Sequence, residues 1–113
     1  MIESQIYSVL SSLVPGRVYP DTAPAKAEIP YVLYQQVGGK AVNVLEAKPM
    51  NKKNARFQIM TWARTRADSS LLIRSIQDKL VTDMRAYVEG ASVSEYDFDS
   101  GLYGSRQDFS FWF

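Results

Sequence analysis

The sequence predicts an α+β domain: a mainly antiparallel β-sheet with two α-helices packed on one face, in the order α-β-β-β-α-β-β. Three observations carry this expectation. Two segments place apolar residues at helical spacing, and several others concentrate or alternate β-forming residues. The strands are also not interleaved with helices as a parallel sheet requires.

The first helix is read over residues 2–14, where Ile2, Ile6, Val9, Leu10 and Leu13 recur at helical spacing among Glu3, Ser4, Gln5, Ser8 and Ser12. Pro15-Gly16 stops it, because proline cannot continue a helix and glycine accepts a reversed backbone. A short extended piece, Arg17-Val18-Tyr19, runs into Pro20, and residues 21–30 read as a surface loop. Tyr31 to Val37 is a strand ended by Gly38-Gly39. Ala55 to Arg64 is the next, with Ala55, Phe57, Ile59, Thr61 and Ala63 on its core side and Arg56, Gln58, Met60, Trp62 and Arg64 on a partly wet one.

Thr65 is placed to cap a second helix, with Asp68 reciprocating three residues later. Its apolar stripe is Leu72, Ile73, Ile76, Leu80, Met84 and Tyr87, and Gly90 is expected to end it. Two closing strands, Ser92 to Phe98 and Tyr103 to Phe113, are joined by the turn Asp99-Ser100-Gly101. In the last strand Gln107, Phe109, Phe111 and Phe113 share one face and are expected in the core, which makes the C-terminal strand part of the fold.

At 113 residues the chain has room for one hydrophobic core, so residues 1–113 are expected to form one domain. Thirteen basic residues against 12 acidic ones leave a net charge of +1, too little to hold nucleic acid or an anionic membrane by its field. No apolar run has the length of a membrane span, and Met1-Ile2-Glu3-Ser4 lacks the basic-then-apolar order of a signal peptide; cytoplasmic synthesis is the expectation. The absence of cysteine excludes disulfides and thiolate chemistry. The absence of histidine removes the usual general base and the commonest metal ligand. An enzyme is therefore not expected, and no cofactor is implied.

The ordered set of segments resembles the tail completion, or tail terminator, family of long-tailed bacteriophages and prophages. The resemblance rests on Met1-Ile2-Glu3, Gly16-Arg17-Val18-Tyr19-Pro20, Ile29-Pro30-Tyr31-Val32-Leu33-Tyr34-Gln35 and the central strand from Ala55 to Ala63. It continues with an acidic strand, Gly101-Leu102-Tyr103, and Arg106 to Phe113. It implies a structural subunit that forms a ring, six-fold in the relatives, on the head-proximal end of the tail tube. There it would end tube growth and offer a surface for head–tail joining. The implied partners are copies of itself, the tail tube protein and a neck or head-completion protein, with DNA only in passage through the channel and no membrane. The implied location is the host cytoplasm during assembly and then the virion. Head–neck completion and a small nucleic-acid-binding module remain as alternative readings.

Candidate contact residues follow. Residues 40–54 form a long inter-strand loop or arm carrying Lys40, Lys48, Lys52 and Lys53 against Glu46. It reads either as a docking arm or as a solvated loop. Met60, Trp62 and Trp112 are expected to form an exposed apolar patch on the face away from the helices, of the kind that marks a partner. Glu95, Asp97 and Asp99 share a strand face, but a charged face guarding an edge strand accounts for them better than a cation site. Tyr31, Tyr34 and Tyr103 are better explained by sheet packing than by base stacking.

Overall fold

The computed structural model describes residues 1–41 and 52–113. The elements are α1 (Ile2–Ser11), β1 (Val18–Pro20), β2 (Tyr31–Gln36), β3 (Asn54–Ala63), α2 (Arg66–Met84), β4 (Tyr87–Val88), β5 (Val93–Asp97) and β6 (Leu102–Trp112). The predicted α+β class and order hold, with the two-residue β4 added after α2.

The sheet runs β1-β2-β3-β6-β4, with β5 alongside the other half of β6. Every pairing is antiparallel except β1 with β2. Its axis is the long ladder between β3 and β6, in register from Asn54 opposite Trp112 to Ala63 opposite Tyr103. The alternation of β3 is strict: Ala55, Phe57, Ile59, Thr61 and Ala63 are buried, while the residues between them stay partly exposed. That buried face meets Ile6 and Leu10 of α1, Ile73, Ile76 and Leu80 of α2, and Phe109 and Phe111 of β6. A two-fold alternation facing two 3.6-fold stripes is what makes one core from these elements.

The polar side chains buried between the sheet and α2 are paired, whereas Ser11 Oγ of α1 is buried without a partner. Thr61 Oγ1 lies 2.9 Å from Ser69 Oγ, which lies 2.9 Å from Ser105 Oγ, tying α2 to the two central strands. Gln107 Nε2 donates to Gln77 Oε1 and to the Gly90 carbonyl, both at 2.8 Å. Left unpaired, such groups would each cost about 1–3 kcal/mol.

Three expected boundaries move. First, α1 ends at Ser11, and Leu13 and Val14 pack against the core from the following turn. Second, α2 ends at Met84, because Arg85 adopts the left-handed conformation (φ 53°). Its N–H and that of Ala86 turn back to the Val81 and Leu80 carbonyls at 3.1 and 3.2 Å. Tyr87, expected on the helix stripe, therefore lies in β4 and is 69% exposed. Gly90 sits beyond that strand and does not end the helix. Third, β6 ends at Trp112 and Phe113 is 45% exposed. Its backbone pairs with Lys53, past the start of β3, and its ring lines an open groove beside Ile2 and Phe111.

The N-terminal cap of α2 forms in one direction only: Thr65 caps the helix as read, but the expected return bond from the Asp68 side chain is not made. Thr65 Oγ1 accepts the Asp68 N–H at 3.1 Å, and the Asp68 carboxylate sits in the first turn, where the helix dipole favours negative charge.

Candidate functional site

The face of the sheet away from the helices carries the open side chains of β2, β3, β5 and β6, and strand register divides it into two regions. At one end Trp62 stands between Tyr31 of β2 and Gly104 of β6, and Met60 between Leu33 and Arg106. Trp62 lies flat on Gly104, so closely that a β-carbon there would meet its ring at 2.9 Å. Tyr19 and Tyr31 add an edge-on aromatic pair, 6.2 Å between centroids. The result is a half-buried apolar end.

The other region is a charged lattice. Arg56 Nε donates to Asp108 Oδ2 at 2.9 Å while its Nη1 lies 3.6 Å from Glu89 Oε2. Ser110 Oγ donates to Glu89 at 2.8 Å, and Gln58 Nε2 to Asp108 at 3.4 Å. Arg106 Nε donates to Glu95 Oε1 at 2.9 Å. Half-exposed pairs of this kind add little stability, but they cancel one another's field and keep this surface close to neutral.

Trp112 is separated from the apolar end. It pairs with Asn54, and Arg56 and Gln58 stand between it and Met60 along β3. At a strand rise of about 3.3 Å per residue, Trp112 and Trp62 are roughly 25 Å apart. The single patch of Met60, Trp62 and Trp112 expected from the sequence is therefore two surfaces, with Trp112 52% exposed at the far end. Face alternation put all three on one side correctly, but distance along the strands divides them.

The lysine-bearing segment is pinned at both feet. Past β2, the Val37 N–H donates to the Arg56 carbonyl and the Arg56 N–H to the Gly38 carbonyl, both at 2.8 Å. Gly39 approaches Asn54 and Ala55 so tightly that a β-carbon would meet the Asn54 carbonyl oxygen at 2.4 Å, and its φ of 150° suits only glycine. The Lys40 N–H then donates to Asn54 Oδ1 at 2.7 Å. On the returning side Lys53 and Phe113 exchange backbone bonds at 2.6 and 2.9 Å. Lys40, Lys52 and Lys53 are exposed there, at the same end of the sheet as Trp112; Lys48 and Glu46 lie outside the described residues.

The acidic residues of β5 and its turn have structural work. Glu95 pairs with Arg106, and Asp97 accepts the Asp99 N–H at 3.3 Å and the Ser100 hydroxyl at 2.7 Å. Among the described residues no three potential ligand side chains converge as a metal site would need.

Two phenols are shifted. Burial, with the Asp97 carboxylate adding to it, pushes Tyr31 above the usual phenol range. Burial also raises Tyr34, reinforced by Glu3, Tyr7 and Asp21. Both shifts hold the ring neutral, the reverse of what a phenolate base would need.

Sequence reasoning missed Arg66, whose guanidinium donates to the Gly104 and Glu95 carbonyls, both at 2.6 Å, and lies 5.5 Å over the Tyr103 ring. It also missed the hairpin tip, where Tyr96 packs edge-on to Phe98 at 4.9 Å and Phe98 is 89% exposed.

The family model for the tail completion protein gp17 matches residues 7–113. The chain belongs to that family. A structural part in completing a phage tail follows, and the resemblance drawn from the strand segments is upheld. Among solved structures this tail completion chain is similar in fold to a chain of the virion of a native gene transfer agent particle. The TM-score is 0.58 at 16% identity, over 93% of this chain and 88% of that one. No curated protein matches the sequence.

Proposed function

We propose that the chain works as a ring of copies, six in number, that caps the head-proximal end of the tail tube, ends its polymerisation and presents the surface to which the head is joined. Membership of the tail completion family supports the reading. The observation that carries it is the placement of exposed aromatic side chains at opposite ends of one rigid sheet. Phe98 stands 89% exposed beyond one end of β6, and Trp112, 52% exposed, closes the other. Phe98 does not stand alone but backs onto Tyr96 and, through it, Tyr103, and an apolar cluster open to solvent suits a contact surface. A subunit that meets unlike neighbours on two sides needs such surfaces.

In this reading Lys40, Lys48, Lys52 and Lys53, with Trp112, face a neighbouring copy or the tube. Met60 and Trp62 form a second contact surface. The channel lets DNA pass without gripping it, since tight binding takes many phosphate contacts. Copies assemble in the host cytoplasm and remain in the virion at the head-proximal end of the tail.

Native mass spectrometry with and without tail tubes of the same phage tests the proposal. The expected outcome is a six-copy species on the tubes, whether or not rings close in free solution. A chain that stays monomeric at every concentration with tubes present sinks it.

A further inference from the structure

The β5–β6 hairpin ends in an aromatic knob. Phe98 is held against Tyr96, which packs in turn on Tyr103 at 4.9 Å, with Arg66 over that ring. The turn behind it is fixed by the Asp97 carboxylate, which takes the Asp99 N–H and the Ser100 hydroxyl, and by Gly101 at φ 72°. An apolar ring presented to solvent on a braced turn loses little freedom when it is covered.

At the opposite end of β6 lies a groove of about 450 Å³ between α1, the end of α2 and the end of β6. Ile2, Val9, Met84, Phe111, Trp112 and Phe113 supply its apolar walls, with Gln5 and Ser8 at the rim and Asp83, paired with Lys79 at 3.2 Å, on the α2 side. With the groove's own Asp83 paired to Lys79, the remaining charges beside the two features are opposite. Asp97 and Asp99 flank Phe98 in the sequence, whereas Lys53 is hydrogen-bonded through its backbone to Phe113 on the groove wall and Lys52 precedes it. Knob and groove are separated by the length of β6, roughly 35 Å for an 11-residue strand, so one copy cannot fill its own groove.

We propose that the occupant is a second copy of this chain: Phe98 of one copy enters the groove beside Phe111 and Phe113 of the next, with Asp99 set against Lys52 and Lys53. Such a contact joins unlike surfaces, head to tail, and generates a closed ring when the rotation per copy closes. The inference rests on the ring reading above and assigns the copy–copy contact within it. The same contact accounts for the exposure of Phe113 in the isolated chain, since the side chain forms a wall that the neighbour covers.

The chain has no cysteine, so introduced thiols report without background. Chains carrying Asp99→Cys, which keep the Phe98 ring, and chains carrying Ser8→Cys are mixed with tail tubes and treated with a short thiol cross-linker. The expected products are dimers in the mixture and multimers up to the closed ring from the double variant. Phe98→Ser should leave the thermal transition unchanged, because the ring is exposed, and weaken association on the order of 30-fold, as loss of an interface anchor does. Rings that form with neither the cross-link nor any effect of Phe98→Ser overturn the contact while leaving the ring reading intact. Cross-linking of position 99 to the tube protein instead also overturns it, by giving the knob to the tube. A wild-type chain that never forms rings on tubes removes the ring reading, and this inference with it.

Discussion

At the scale of single residues, the side chains that lock this fold act across long stretches of sequence. Arg66 sits one position after the α2 cap, yet its partners Glu95 and Gly104 lie in β5 and β6. No periodicity marks it, because the contacts are set by the return of the hairpin. Arg85 is equally silent: it takes a left-handed conformation that in a non-glycine residue costs about 1–2 kcal/mol, and the helix ends there without the expected glycine. What was legible at this scale was the Thr65 cap, a local rule with a local partner. Tyr31 gives a residue-scale prediction. Its folded pKa is raised by burial first and by Asp97 second. A raised folded pKa means that the unfolded chain ionises first, so this contribution is intact below the unfolded value of about 10 and is lost as pH rises through the folded one. Thermal stability should therefore fall more steeply between pH 9 and 11 (roughly the phenol range) in the wild type than in Tyr31→Phe. Parallel melting curves for the two chains over that range would refute the assignment.

At the scale of elements, alternation and helical spacing were enough to place both helices, both faces of β3 and the core face of β6 through Phe111. They failed where an element ends. Tyr87 falls on the helical stripe by spacing, but Arg85 has already turned the chain, and the residue pairs with β6 opposite Ser110. Phe113 continues the alternation of Phe109 and Phe111, but its partner strand has run out. Period describes a face; it does not say where the neighbouring layer stops. The C-terminal strand remains central, since Phe109 and Phe111 are 0% and 1% exposed and β6 pairs with three other strands. Replacing one such phenylalanine with alanine costs about 3–5 kcal/mol, against a total of roughly 5–15 kcal/mol for a small domain. Deleting residues 109–113 should therefore abolish the cooperative melting transition, and Phe111→Ala should lower its midpoint by well over 5 °C, at roughly 4–8 °C per kcal/mol for a small domain. Phe113→Ala should change it little. A 109–113 deletion that melts like the full chain would remove β6 from the core.

At the scale of the whole molecule, the near-neutral balance visible in the composition becomes a spatial statement. Arg56 and Arg106, which a list of basic residues would count toward nucleic-acid binding, are each committed to a carboxylate on the open face. The lysine-bearing segment is the remaining concentration of positive charge, with Lys40, Lys52 and Lys53 exposed at its feet and Lys48 beyond the described residues. In the proposed ring this charge distribution suits passage of DNA better than a grip on it. If all four lysines of one copy met phosphates, the slope of log affinity against log salt would be no steeper than about −4, at roughly −0.9 per contact. The expectation for the chain without tubes is duplex binding with a slope of that size or shallower, abolished by charge reversal at Lys52 and Lys53. Fluorescence anisotropy with a labelled duplex over about 50–200 mM salt measures it. A slope near −8, which takes the charge of many phosphate contacts per site, would favour the nucleic-acid-binding alternative over passage through a ring.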